Sequence, residues 1–356
     1  MANFKKIKTN PESGKDYRKK YFEGIVNVLN KKMDESSKKR DEFINPDSLA
    51  EHREHYRKKY CDMLGWPLNE FEHNFKPNFK KELLEELDFV TVYRLCIETL
   101  PDLWFEGTLY VPKSSSKKLP LTIINPGGGY FCEDLIAHGD YPSAQYRNIG
   151  GRFVEAGCML FAPQLLIRNG DGFDFDMPKT RQFIDDRLKA LGGSIAAIEI
   201  FNLKRAIDYF IGNEDIDSER IGMAGLSYGG FYTLYTSAAD TRIKSTFSSC
   251  FFCGRFGYKD EEDGCRSDWL WQNSAETFFD AEVAALIAPR ALYIENGKAD
   301  EIFSVDLSIK EFERLKPFYE RANAEDKLKY FVGNDGHIVD EGEQGIKFYL
   351  DNLFSD

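Results

Sequence analysis

The tightest constraint on this chain is the run Gly225-Leu226-Ser227-Tyr228-Gly229-Gly230, set between an apolar strand pattern (Ile221, Met223) and a helical one. A strand that turns into a helix over so few residues needs neighbours without side chains. The same alternation recurs along the chain. Strands are predicted at 121–125, 158–163, 220–226, 244–251, 291–296 and 327–333, and helices near 143–156, 194–212, 228–239, 305–323 and 342–353. This pattern predicts an α/β protein with a doubly wound, mostly parallel β-sheet covered on both faces. Ahead of it, 87–99 and 103–112 flank Pro101-Asp102 and read as a β-hairpin. Residues 14–60 read as helical: Phe22, Ile25, Val26 and Leu29 recur at helical spacing, and Ser48 precedes a second run. Two segments follow, a helical N-terminal extension over 1–85 and an α/β domain over 86–356.

Of the 356 residues, 42% are hydrophobic, enough for a full core. No stretch approaches the ~20 apolar residues that span a bilayer, and the basic start lacks the apolar region of a leader peptide. Seven cysteines, an odd number, argue against a disulfide framework and for a reducing compartment. A cytoplasmic protein without a membrane partner is expected. Residues 1–60 carry a net charge of +6, so the rest carries -18 of the total -12. An acidic body of that size disfavours nucleic acid, whose phosphates need a positive field. The N-terminal helices can pack on their own domain or on a neighbour's, which leaves a homo-oligomer open.

The turn at 225–230 would lift the Ser227 hydroxyl above the sheet and put the Tyr228 N–H, at a helix N-terminus, where an oxyanion forms. A serine needs a base. The chain has five histidines: His52, His55 and His73 precede the sheet, and His138 follows the first parallel strand, at the rim. His337 falls between the last predicted strand and the last helix, where an imidazole can reach Ser227. Asp300, four residues past a strand end in a polar loop, is the expected partner of that imidazole. Glu295, Glu301 and Asp335 are its rivals, with Glu295 at the strand end placed to support the site from behind. The order Ser227, Asp300, His337 is nucleophile, acid, base. A second oxyanion donor is expected from Asn125-Pro126-Gly127-Gly128-Gly129-Tyr130, with Gly128, Gly129 and Tyr130 all open as the donor. A phosphate-binding loop fails there for want of a Gly-Lys-Ser/Thr ending.

From about 86 to 355 the chain resembles the α/β hydrolases, specifically the dienelactone-hydrolase-like and acetyl-xylan-esterase-like group. The resemblance rests on the glycines at 127–129, GLSYGG at 225–230, AALIAPRALYIENGKADEIF at 284–303 and GNDGH at 333–337. Dienelactone hydrolases proper carry cysteine where this chain has Ser227. The resemblance implies a serine esterase acting on a small acetyl or other short-acyl ester, with neither metal nor organic cofactor. GLSYGG followed by Phe-Tyr-Thr is also similar to prolyl-oligopeptidase-like serine peptidases, whose β-propeller has no room in the 85 preceding residues. A hydrolase fold retired into a binding protein is the remaining alternative.

Three further features have competing readings. Cys250 and Cys253, with Cys265 beyond, form no metal-binding pattern and have no histidine near in sequence, so they read as buried thiols. Trp269 and Trp271 either stack on a sugar ring or cap the core, and Tyr130 is placed to line the substrate site. Asp171, Asp174 and Asp176 lack calcium-loop spacing and read as a solvated loop.

Overall fold

The computed structural model describes residues 11–355 apart from 71–77, 114–117, 137–144, 167–180, 213–214 and 255–266. Within these residues nine strands form one sheet: β1 Phe79–Glu86, β2 Val90–Leu100, β3 Leu103–Pro112, β4 Leu119–Asn125, β5 Met159–Pro163, β6 Ile216–Leu226, β7 Ile243–Ser249, β8 Ala291–Gly297 and β9 Leu328–Gly333. Their order is β1-β2-β3-β5-β4-β6-β7-β8-β9. β1, β2, β3 and β5 pair antiparallel, and from β5 to β9 every pair is parallel. The β2–β3 hairpin turns at Asp102, whose φ of 67° suits an Asp in the left-handed region.

Strand periodicity sorts the core into two layers. Leu121, Ile123, Ile221 and Met223 face one apolar cluster, while Ile124, Ala224 and Leu226 face the other. The first layer is closed by α2 (Pro46–Leu64), α5 (Ile195–Ile211), α6 (Tyr228–Ala239), α7 (Asp280–Ala285) and α8 (Val305–Arg321); the second by α3 (Ile149–Glu155) and α9 (Gln344–Phe354). From β4 the chain crosses to β5 on one side, and from β5 it returns to β6 on the other. The carboxyl ends of β4 and β6 therefore flank the point where connections diverge, the place where open α/β sheets form a crevice.

Three elements depart from expectation. Phe79–Glu86, inside the extension read as helical, is the edge strand β1, paired with β2 from Phe79↔Ile97 to Glu86↔Thr91. Its sequence, FKKELLEE, is built of helix formers, and all eight residues are exposed, so no burial alternation marks it. Arg181–Ala190 forms a helix, α4, where the sequence pattern predicts no element. The second N-terminal helix starts at Pro46: Asn45 is its cap, and Ser48 closes a reciprocal capping box with it. This helix buries Leu49, Tyr56, Tyr60 and Leu64 in the same cluster as α5 and α6, and the Tyr60 hydroxyl donates to the Tyr235 carbonyl at 3.0 Å. The preceding helix, α1 (Pro11–Phe43), touches the body through Ser36 and Arg40 near its end. No helix among the described residues is long and apolar enough to cross a membrane.

Candidate active site

Ser227 joins β6 to α6 with φ 60° and ψ -122°, a conformation that costs a non-glycine residue strain and is held by its surroundings. The surroundings are crowded. A Cβ on Gly225 would lie 2.3 Å from the Gly229 carbonyl oxygen, and one on Gly229 would lie 2.1 Å from that of Asn125. The turn closes only because both positions are glycine. The Ser227 N–H donates to the Ser249 carbonyl at 2.9 Å, which ties the turn to β7. Tyr228 opens α6, so its N–H is among those a helix leaves without an internal acceptor.

The loop after β4 lies against this turn: a Cβ on Gly127 would be 3.5 Å from that of Ser227. Within the loop the Tyr130 N–H donates to the Gly127 carbonyl at 3.3 Å, and the backbone N–H groups on its exposed part are those of Gly128 and Gly129. Gly129 sits at φ 85°, which favours glycine. Tyr130 is half-buried, with its hydroxyl on Gln145 Oε1 at 2.6 Å and its ring edge-on to Tyr146.

His337 and Asp300 meet across the ends of β9 and β8. His337 Nδ1 lies 2.9 Å from Asp300 Oδ2, while Asp300 Oδ1 accepts the N–H groups of Ile302 at 2.7 Å and Phe303 at 3.0 Å. Burial works to raise the Asp300 pKa, but the His337 hydrogen bond and charge and the two N–H donors outweigh it, holding the carboxyl below its usual range. The Phe303 ring stacks on the imidazole at 5.6 Å. The rival acids are engaged elsewhere or exposed: Asp335 pairs with Arg147 at 2.9 Å, and Glu301 is exposed. His52 and His55 are exposed on α2. His73, His138, Cys265, Asp171, Asp174 and Asp176 lie outside the described residues.

Glu295 supports the histidine loop. Its Oε1 accepts the Asp340 N–H at 3.0 Å, and its carbonyl accepts the Cys250 N–H at 2.8 Å. Burial pushes its carboxyl up to about 7, against the opposing pull of the Asp340 N–H and the Ser249 hydroxyl. An acid with a raised native pKa contributes stability fully present below its unfolded value, 4.5, and lost as pH rises through about 7. Glu295→Gln keeps the acceptor for Asp340 and never ionises. Denaturant titrations should therefore show the variant gaining on wild type by about 3 kcal/mol between pH 4.5 and 8. A gap that stays flat with pH would show that Glu295 does not titrate in that range.

The sequence shows Cys250 no histidine, but the fold does. Cys250 Sγ and the ligand atoms of Asp300 and His337 lie within 4.8 Å of one another, a donor set that would suit a thiophilic cation. Two of those donors already hydrogen-bond each other, and burial pushes the Cys250 thiol up to about 12. Its Sγ donates to the Ile338 carbonyl at 3.4 Å, so the thiol braces the same loop.

Trp269 and Trp271 are 3% and 8% exposed and cap the core, so neither presents a face on which a sugar could stack. Trp269 packs on Tyr228 at 4.8 Å and on Phe303 at 6.0 Å; Trp271 stacks on Phe231 and Tyr235. Sequence reading missed a buried ionic cluster beside them. Arg181 Nε donates to Asp268 Oδ2 at 2.8 Å, and the same oxygen accepts the Tyr228 hydroxyl at 3.0 Å. Arg181 also reaches the Tyr232 hydroxyl at 2.5 Å and lies 3.9 Å from Glu199. The cluster fixes the ring of the residue after Ser227 from behind. Its members are ordinary charged residues in sequence, and no spacing links them.

A serine on a strand-to-helix turn beside the switch point, with a His–Asp pair beyond the last two strands, defines a class: this chain has the α/β-hydrolase fold. Among solved structures, the glucuronoyl esterase from Solibacter usitatus superposes with a TM-score of 0.67 over 88% of this chain and 95% of that one, at 16% identity. Among curated proteins, YtaP of Bacillus subtilis (strain 168), which bears the name of a hydrolase, is 25% identical over 169 residues, 47% of this chain and 56% of that protein. Carbohydrate esterase MZ0003, from an unidentified prokaryote, is 41% identical over 66 residues, 18% of this chain and 15% of its own length. The chain thus spans little more than half of one curated relative and a small part of the other. No family model matches the chain.

Proposed function

We propose that this protein is a serine carboxylic-ester hydrolase that works through an acyl-enzyme. The observation that carries the reading is the 2.9 Å His337–Asp300 pair in a chain whose Ser227 is held at φ 60° on the strand-to-helix turn. With its Nδ1–H given to Asp300, His337 keeps Nε2 as the acceptor for the Ser227 proton. Ser227 Oγ attacks the ester carbonyl, and the oxyanion takes the N–H of Tyr228 with those of Gly128 and Gly129. His337 returns the proton to the leaving alcohol, then draws one from water as that water attacks the acyl-enzyme, and gives it to Ser227 Oγ as the Ser227–acyl bond breaks and the acid leaves. Each step is a proton or acyl transfer among these side chains.

The substrate we assign is a short-acyl, most simply acetyl, ester of a carbohydrate or another small alcohol. The support is the resemblance of the acid-loop phrase to acetyl-xylan esterases, together with the carbohydrate-esterase name of the 41%-identical stretch. Tyr130, next to the exposed glycines, is the side chain we place against the substrate. The reading also takes the protein as cytoplasmic and its partner as a small molecule, not a nucleic acid. Six described cysteines are unbridged and the body is acidic, which supports both.

A substrate panel tests it: p-nitrophenyl acetate, longer p-nitrophenyl esters, acetylated sugars, a glucuronoyl ester and a proline-containing anilide. Acetate release from the sugars and rates falling with acyl length are expected. Turnover of the anilide alone would make the protein a peptidase, and silence on every ester would remove the esterase reading.

A further inference from the structure

The large apolar residues in the first two-thirds of α1 are left exposed by the described residues of the body. Over residues 12–32, Tyr17, Tyr21, Phe22, Ile25, Val28 and Leu29 are 49–74% exposed, and they fall on one broad side of the helix. Large apolar side chains in such number on a helical stretch left exposed by the described residues mark a surface built to be covered. Gly24 sits among them, on a groove with Lys20, Tyr21, Ile25 and Val28. A glycine there weakens the helix by about 1 kcal/mol, yet a Cβ at that position would meet nothing within 4 Å in this chain. The position is open to the close approach of another surface.

The same chain leaves a second apolar surface uncovered. Among the described residues β1 is an edge strand with no strand on its outer side, and Leu83, Leu84 and Phe89 around it are 46–62% exposed. The two surfaces are matched in charge, since residues 12–32 carry a net +3 and residues 79–89 a net -2. They are matched in length: about 32 Å of helix against ~27 Å of strand. The arm does not cover β1 of its own chain. Arg40 anchors α1 on Glu282 of α7 and Glu311 of α8, and α8 lies against β8 and β9. In the single chain the arm's apolar residues and Leu83, Leu84 and Phe89 all stay exposed.

We propose that residues 12–32 are a dimerisation arm that seats on the β1 edge of a second copy, reciprocally about a two-fold axis. One contact made twice covers both apolar surfaces and both edge strands with complementary charge, which is the isologous arrangement that closes. The assembly is independent of the chemistry at Ser227.

Light scattering coupled to size exclusion on the full chain, over a dilution series, tests it. Wild type is expected at twice the 41.0 kDa chain mass. Two surface double variants, Tyr21→Glu with Ile25→Glu and Leu84→Glu with Phe89→Glu, should each run as monomers with unchanged circular dichroism and a melting temperature that no longer depends on protein concentration. A monomeric wild type would overturn the proposal, as would a dimer that survives both double variants. A dimer broken by the arm variant and untouched by the β1 variant would equally overturn the seat on β1, because the arm would then pair elsewhere.

Discussion

Ser227→Ala is expected to lower kcat on p-nitrophenyl acetate by about a millionfold, the cost of deleting the nucleophile of a serine hydrolase. The fold should stay intact, because alanine meets the strain at φ 60° no worse than serine does, and the turn is held by Gly225, Gly229 and the Ser227 N–H bond to Ser249. The melting temperature should therefore move little while turnover collapses. What remains should be the contribution of the oxyanion donors alone, roughly a thousandfold above water. A variant that kept near wild-type turnover would show the acyl group never resides on Ser227.

The second large effect is Asp300→Asn, and the hydrogen bonds around Asp300 determine how it acts. Oδ1 accepts two backbone N–H groups, from Ile302 and Phe303. An asparagine must put its carbonyl oxygen there, which turns its NH2 toward His337 Nδ1. Nδ1 then becomes an acceptor, the ring proton moves to Nε2, and the base can no longer take the Ser227 proton. A loss of about 10,000-fold in kcat with KM nearly unchanged is expected. The substitution also reads out in stability. The native Asp300 pKa is depressed, so its contribution is present above the ordinary carboxylate range and is lost as pH falls through the lower native value. Wild type should lose its margin over Asp300→Asn on acidification. A variant with wild-type kcat would mean that His337 is oriented by another group.

Much of this was legible because the physics behind it is local. The glycines of GLSYGG are forced, because a Cβ on any of the three would lie 2.1–2.6 Å from a backbone oxygen, so a strand, a serine and a helix in that spacing leave little freedom. The Ser227, Asp300, His337 order follows from where the parallel strands β6, β8 and β9 end. What sequence could not carry depends on contacts between distant segments. β1 has no buried face to print a period on. Arg181 and Asp268 lie 87 positions apart and look like solvated charges until the fold buries them behind Tyr228. Cys250 meets His337 only because β7, β8 and β9 stack side by side. Trp269 and Trp271 could equally have been ligand platforms or core. The aromatic cluster around Phe231 makes them core.

The most direct test of the central claim is labelling of the full chain with a fluorophosphonate, followed by intact mass and peptide mapping. The account predicts one adduct per chain, on the peptide holding Ser227, absent from Ser227→Ala and formed far more slowly in Asp300→Asn. An adduct on any other residue, or no adduct from a protein that hydrolyses esters, would contradict it.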